Sequence, residues 1–66
     1  MIMNQPNDIV MAFGNPVKCQ VPTGQCKLIK KIRDVGSILE EWSVEYLDDE
    51  EHFYDLLIKK NSNETN

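Results

Sequence analysis

The sequence predicts a mostly β protein, built as a small, partly open barrel of four to five antiparallel strands. Apolar and polar residues alternate over residues 41–46, which is the periodicity of a strand. Breaker clusters at residues 14–16, 21–24 and 34–37 divide the rest of the chain into short segments. The chain has 66 residues, of which 41% are hydrophobic and 27% charged, and these proportions predict one folded domain with a small core.

The N-terminal part of the chain is predicted to contain one strand. Residues 1–7 lack a periodic pattern and include Pro6, so we interpret them as a flexible arm. Residues 8–13, DIVMAF, alternate two apolar sets as a short buried strand would. The two sets, on opposite sides of the extended chain, are Ile9, Met11 and Phe13 against Val10 and Ala12.

The next part of the chain is interrupted by breaker residues. Residues 21–24, VPTG, have the Pro and Gly of a turn, and VKCQV at residues 17–21 fits either a short strand or an extended loop. Residues 25–33, QCKLIKKIR, permit a helix by spacing, but no acid caps its start and it would have fewer than about three turns. We favour a strand, with one face formed by Cys26, Leu28 and Ile32.

The clearest predicted strand follows a polar connection, DVGS, at residues 34–37. In LEEWSVEYL, residues 39–47, aromatic and β-branched residues occupy one face, and charged or small polar residues occupy the other. The inward set is Trp42, Val44 and Tyr46, and the outward set is Glu41, Ser43 and Glu45.

Residues 48–60 fit two structures. As a helix, they would have acids at the start and lysines at the end, and the fold would be α+β, a three-stranded sheet with a C-terminal helix. As a strand, they would follow a hairpin turn at LDDEE. We favour the strand, because three strands cannot close a sheet around Trp42. In such a strand, alternation points Tyr54, Leu56 and Ile58 inward, and it points Phe53, Asp55, Leu57 and Lys59 outward. Residues 61–66, NSNETN, are polar and are predicted to be a disordered tail.

Three segments in this order, NDIVMAFGNP, TGQCKLIKKI and EEWSVEYLDDEEHFYDLLIKK, resemble the small Src-homology-3-like (SH3-like) and Tudor-like barrels. They look most like short barrel proteins of bacteria, phages and other mobile elements. The resemblance implies a single SH3-like domain over residues 8–60. The ALYDY motif of peptide-binding relatives and the Gly-rich basic motif of ribosomal relatives are both missing. The resemblance therefore implies a fold but no site residues.

The charge pattern disfavours one class of function without removing it. The net charge of −4 argues against a dedicated nucleic-acid binder, since such proteins cluster lysine and arginine on one face. The alternative function is nevertheless a nucleic-acid-associated regulatory protein that uses the basic strand, with Lys27, Lys30, Lys31 and Arg33 as its contacts. We favour neutralisation of these residues by the acids in the second half of the chain.

No combination of residues predicts catalysis, a cofactor or a metal site. Cys19 and Cys26 could face each other across a turn, but a metal would need two further ligands. His52 as a general base would need an oriented partner, and Asp55 is the only candidate. We expect no enzymatic activity and no small-molecule substrate. The absence of a signal peptide and of a long apolar run predicts a cytoplasmic protein without membrane contact.

The aromatic residues suggest an interaction site. Tudor-like barrels use such rings as a cage or platform, although Trp42 and Tyr46 are expected to fill the core. The outward pair Phe53 and Leu57, with Tyr54 beside them, would form an exposed apolar surface, which usually meets a partner. The sequence therefore predicts a non-enzymatic protein-interaction module whose partner is another protein or a second copy of the chain.

Overall fold

The computed structural model describes residues 3–60, which form four β-strands and no helix. The strands are β1 (Ile9–Asn15), β2 (Gln20–Val35), β3 (Leu39–Tyr46) and β4 (Asp49–Lys59). They make one antiparallel sheet in the order β1-β2-β3-β4, curled into a half-barrel. The predicted mostly β, partly open barrel is confirmed, and both helical alternatives are wrong. No helix in the described part of the chain has the length and hydrophobicity needed to span a bilayer.

The curl of the sheet depends on β2, which pairs with two strands along its length. Its first half pairs with β1, and its second half, from Cys26 onward, pairs with β3. Three extra residues interrupt these ladders: Thr23 on the β1 side, and Ile29 and Ile32 on the β3 side. Each bulge bends the strand and increases its twist, so one long strand can serve both sides of a curled sheet.

The bulges also explain an error in the predicted face of β2. Cys26 and Leu28 are fully buried as expected, but Ile32 is 43% exposed. One extra residue reverses the faces to which all later side chains point. As a result Lys31, and not Lys30, lies opposite Trp42.

The predicted turn at VPTG is also wrong, and of VKCQV, left open as a strand or a loop, only Gln20 and Val21 belong to a strand. Pro22 and Gly24 lie inside β2 on either side of the Thr23 bulge, and the turn occupies residues 16–19. Asn15 stabilises that turn, because its Oδ1 accepts a hydrogen bond of 3.2 Å from the Lys18 amide. Gly24 has φ +134°, a conformation that suits glycine and allows the bulge.

The two later turns are shorter than predicted. β2 continues to Val35, so the connection to β3 consists of residues 36–38. Only Leu47 and Asp48 separate β3 from β4, and the acids Asp49, Glu50 and Glu51 of the predicted LDDEE turn belong to β4. The additional residues of β4 are accommodated by a large register irregularity opposite the segment between Val44 and Tyr46.

The core lies on the concave face of the sheet and contains residues from every strand. Its buried apolar members are Ala12, Cys26, Leu28, Trp42, Val44 and Ile58. The inward direction predicted for Trp42, Val44 and Ile58 is confirmed, and Tyr46 and Leu56 pack against the core from its margin. Tyr54 lies opposite the buried Val44, so its predicted inward direction is confirmed, although its side chain is 41% exposed at the margin of the core.

Part of the predicted arm, residues 3–7, belongs to the described structure. The Asn7 amide donates a hydrogen bond of 2.6 Å to the Leu28 carbonyl, and the Leu28 amide donates one of 2.9 Å to the Asp8 carbonyl. These bonds continue the β1–β2 ladder towards the N-terminus. Residues 61–66, predicted to be a disordered tail, lie outside the described residues.

Candidate protein-interaction site

The two ends of the sheet, β1 and β4, meet without pairing. They are the edge strands, and within residues 3–60 no strand is hydrogen-bonded to the outer edge of either. Curling nevertheless brings β1 and β4 into contact. The opening between them, here called the seam groove, is therefore bordered by two strands whose backbone groups are available to another extended chain.

The seam groove has two connected parts. The first has a volume of about 260 Å³, and its apolar lining includes Val10, Met11, Phe13, Leu57 and Ile58. The second has a volume of about 280 Å³, and its lining includes Phe13, Thr23, Tyr46, Leu56 and Leu57. Phe13 and Leu57 line both parts and thus stand where the two meet. Apolar side chains between two unpaired strands are the arrangement that strand-binding sites use.

The structure separates the three residues predicted to form the interaction surface. Leu57 is 38% exposed and lies in the seam groove, so its outward direction is confirmed. Phe53 is also outward, at 62% exposed, but it does not line the groove. Tyr54 lies opposite Val44 on β3, and its ring meets that of Tyr46 edge-to-face with centroids 5.5 Å apart. Leu57 is thus the member of the set that joins the groove.

The sequence prediction of the surface missed the contribution of β1. Met11 and Phe13 line the groove together with Leu57, although they are more than forty residues earlier in the chain. The signal for them was present, because Ile9, Met11 and Phe13 form the outward set of β1. Alternation alone does not say which set faces the core, and it does not say which strands become neighbours after the sheet curls.

One end of the groove is polar and carries positive charge. Asn4, Lys59 and Lys60 line this end. The Asn4 side-chain amide donates hydrogen bonds to the Lys59 carbonyl at 3.2 Å and to Glu40 at 3.1 Å, so the N-terminal segment closes the groove here. The Lys60 ammonium lies 3.3 Å from the Asp34 carboxylate. An acidic group at this end of a bound peptide would meet both lysines.

Behind this end lies Glu40, the one buried charged residue among those described. Its carboxylate accepts hydrogen bonds from the Trp42 indole at 2.8 Å and from Asn4 at 3.1 Å, and it lies 3.3 Å from the Lys31 ammonium. Burial raises the pKa of the Glu40 carboxyl, but the bonds from Trp42, Asn4 and Lys31 together hold that pKa below its ordinary value. Glu40 thus remains ionised and anchors the N-terminal segment to the barrel.

Lys31 and Asp34 extend this network to the surface. The Lys31 ammonium lies 2.8 Å from Asp34, which also contacts Lys60. The bond to Asp34, followed by the interactions with Glu40, raises the pKa of Lys31, and the bonds from Lys31 and Lys60 lower the pKa of Asp34. Four charges of alternating sign therefore connect β2, β3 and the end of β4.

The basic residues proposed as a nucleic-acid contact are mostly engaged by carboxylates. Lys31 binds Asp34 and Glu40, the Arg33 Nε lies 2.7 Å from Glu41, and the Lys27 ammonium lies 3.8 Å from Glu45. Within the described residues, Lys30 has no carboxylate within ion-pair distance. The basic strand is thus a set of cross-strand ion pairs with one uncompensated lysine.

His52 has a different partner from the one the sequence suggested. Its Nδ1 lies 2.8 Å from Asp49, not from Asp55, because the two-residue turn sets Asp49 at the start of β4. The bond from His52 lowers the pKa of Asp49, which also accepts a hydrogen bond of 3.3 Å from the Tyr54 hydroxyl. Burial, with the Asp49 charge, raises the pKa of Tyr54. Both members of the His52–Asp49 pair are exposed to solvent, which screens the pair and offers no enclosed site for proton transfer.

The two cysteines lie apart and are both free thiols. Cys19 is exposed in the turn after β1, whereas Cys26 is buried opposite Val10, so the facing arrangement considered from the sequence is wrong. Burial raises the pKa of the Cys26 thiol. Among the described residues, no group of three or more histidine, cysteine or acidic side chains is arranged to hold a metal ion.

Comparisons of the chain with protein-family models, curated proteins and solved structures give no match.

Proposed function

We propose that this protein is a non-enzymatic protein-interaction module that binds an extended segment of polypeptide in the seam groove. The observation that supports it is the position of Leu57, Phe13 and Met11 between two strands with unpaired edges. An extended segment would gain backbone hydrogen bonds from an edge strand, and its alternate side chains would enter the apolar lining.

The charges at the groove favour one kind of segment. Lys59 and Lys60 line one end, so the preferred ligand is an apolar extended stretch with acidic residues at the end that lies beside them. A cytoplasmic location belongs to the same proposal, because a reducing compartment keeps cysteines such as Cys19 and Cys26 as thiols.

The alternative function, a nucleic-acid-associated regulator, has weaker support. It would need its basic residues to leave the carboxylates Glu40, Glu41 and Glu45 in order to reach phosphates. That exchange removes much of the electrostatic gain that makes phosphate binding favourable. We therefore propose a protein partner in preference to a nucleic acid.

The experiment is an amide chemical-shift titration with a short acetylated peptide that begins with two glutamates and continues with alternating valine and threonine. We expect the largest shifts in β1 and β4, around Met11 and Leu57. Leu57→Asp should abolish them, whereas Ile32→Asp, at an exposed strand position outside the groove, should not. A peptide in which lysines replace the glutamates should bind more weakly. Shifts that are absent, or that are unchanged by Leu57→Asp, would overturn the proposal.

A further inference from the structure

We propose that the segment that enters the seam groove is β4 of a second copy of this chain, with the two β4 strands paired antiparallel about a two-fold axis. This inference rests on the proposed function and names its partner. It follows from three properties of β4: its open edge, the order of its charges and the apolar residues between them.

The outer edge of β4 is available for pairing with another strand. β4 is the last strand of the sheet, and within residues 3–60 its outer edge has no strand partner, although the Asn4 side-chain amide binds the Lys59 carbonyl at one end. An exposed edge is a template for another strand unless charges, bulges or proline block it. Between Phe53 and Ile58, β4 contains one charged residue, Asp55, and it has no proline. This part of the edge is therefore poorly protected against pairing.

The order of charges favours an antiparallel copy. β4 begins with Asp49, Glu50 and Glu51, and the basic residues Lys59 and Lys60 stand at its other end. An antiparallel copy brings the acids of each strand beside the lysines of the other, at the polar end of the groove. Glu50, Glu51 and Lys59 have no ion-pair partner among the described residues and are therefore available for these contacts.

The register follows from the requirement that directly opposed residues lie on the same face of the sheet. With Asp55 on the two-fold axis, Glu51 lies opposite Lys59 and Phe53 lies opposite Leu57. The two exposed apolar residues predicted from the sequence thus cover each other, and the groove receives the partner's apolar side chains. Glu50 then lies opposite Lys60.

The neighbouring registers are worse by the same criteria. With Tyr54 on the axis, Leu57 lies opposite Glu51, and with Leu56 on the axis, Phe53 lies opposite Lys59. Both arrangements oppose an apolar residue to a charged one. The preferred register has two unfavourable features. The two Asp55 carboxylates face each other on the axis, where like charges weaken the pair, and Glu51 and Phe53 lie in the part of β4 that is irregular against β3, which must become regular to pair.

The experiment uses the full chain and reverses one charge pair. Lys59→Glu places Glu51 opposite a glutamate in the homodimer, and Glu51→Lys places two lysines opposite each other. Each variant alone should dimerise roughly tenfold more weakly than the unchanged chain. An equal mixture should restore association, because both opposed pairs are then of opposite charge. Sedimentation velocity over a range of protein concentrations measures all four samples.

Two further variants test the register and the apolar contact. Asp55→Asn removes the repulsion on the axis and should tighten the dimer by about two- to fivefold. Leu57→Asp should abolish dimerisation, whereas Ile32→Asp should leave it unchanged. A dimer that is insensitive to Leu57→Asp, or a mixture of charge variants that fails to associate, would overturn the inference.

The outcome also separates this inference from the proposed function. If the chain stays a monomer at high concentration while the glutamate-led peptide still shifts the amides of β1 and β4, the second copy is excluded and the groove remains a peptide site. If neither association nor peptide binding occurs, both the dimer inference and the proposed peptide-binding function are excluded. If the inference holds, the peptide should dissociate the dimer, because the two ligands compete for the same edge.

Discussion

The Trp42 indole donates a hydrogen bond of 2.8 Å to the carboxylate of Glu40, which lies two residues earlier on the same face of β3. Because alternate residues of a strand share a face, the side chains of Glu40 and Trp42 lie next to each other. The bond satisfies the indole N–H inside the core and holds a charge where an apolar residue would be expected. It also connects the core to Lys31 and Asn4, and through them to the groove.

Glu40→Gln should destabilise the protein by about 1–3 kcal/mol, because the amide cannot satisfy all the donors that surround the carboxylate. The new amide group also brings two donors of its own towards Lys31 and Trp42. Urea unfolding followed by the fluorescence of Trp42, the sole tryptophan of the chain, measures the change.

Glu41→Gln is the matched control for this prediction. Glu41 is the adjacent residue and pairs with Arg33, whose side chain is largely exposed, so its loss should cost less than about 1 kcal/mol. Equal effects of the two substitutions would contradict the role assigned to Glu40.

Val21→Asn should stabilise the protein by about 1 kcal/mol. Val21 has φ 61°, which a β-branched residue adopts only with strain, and asparagine tolerates this conformation better. Its side chain is 69% exposed, so the substitution removes little buried surface. Val17→Asn, at an exposed turn position without a positive φ, is the control and should have no stabilising effect. Thermal unfolding compares the two, and a lower midpoint for Val21→Asn than for the control would argue against strain at this position.

Stability should be highest across the neutral range and should fall in acid. Asp34, Glu40 and Asp49 have pKa values lowered by folding, so each contributes stability above its unfolded pKa, near 3.8 for aspartate and 4.5 for glutamate. The contribution is lost as the pH falls through the lowered folded pKa. Urea midpoints measured from neutral pH into acid should decline, and Glu40→Gln should make the decline shallower. If the urea midpoint of Glu40→Gln declines with falling pH as steeply as that of the unchanged chain, Glu40 does not contribute to the acid sensitivity.

The loss of stability at alkaline pH has separate causes, because folding raises the pKa values of Cys26, Tyr54 and Lys31; Cys26 has the lowest unfolded pKa of the three. The pKa of Cys26 is raised by burial, so its thiol contributes stability below the unfolded pKa of 9.0, and this contribution is lost as the pH rises through the higher folded pKa. Cys26→Ala should therefore weaken the loss of stability above that pH, although it lowers stability throughout by leaving a cavity. The pH dependence of the urea midpoint, and not its absolute value, is the measurement that decides.

Nucleic-acid binding should be absent at moderate salt. Lys30 is the basic-strand residue without a carboxylate partner in the described structure, so Lys30→Glu tests the basic strand without disturbing its ion pairs. Lys31→Glu is unsuitable, since it would set a second carboxylate beside the buried Glu40. Fluorescence anisotropy with a labelled DNA duplex is the assay. Binding that weakens steeply with salt and is lost in Lys30→Glu would instead support the nucleic-acid alternative.

The sequence predicted the elements better than their boundaries. The alternation around Trp42 and Val44 identified β3 and its buried face, because a period of two is a local property of the chain. The turn assignments failed where Pro22 and Gly24 occupy a bulge inside a strand. The same residues favour turns and bulges, and only the partner strand distinguishes the two.

The sequence by itself predicted a mostly β chain in which Trp42 points inward and Phe53 and Leu57 point outward, since these directions depend on alternation along single strands. Only the tertiary structure decided that Ile32 is exposed, that Glu40 is buried and that Met11 and Phe13 join Leu57 at an open seam. These outcomes depend on bulges that reverse the faces of β2 and on a curl that brings the first and last strands together. Neither leaves a periodic trace in the sequence, because both arise from pairing between residues far apart in the chain.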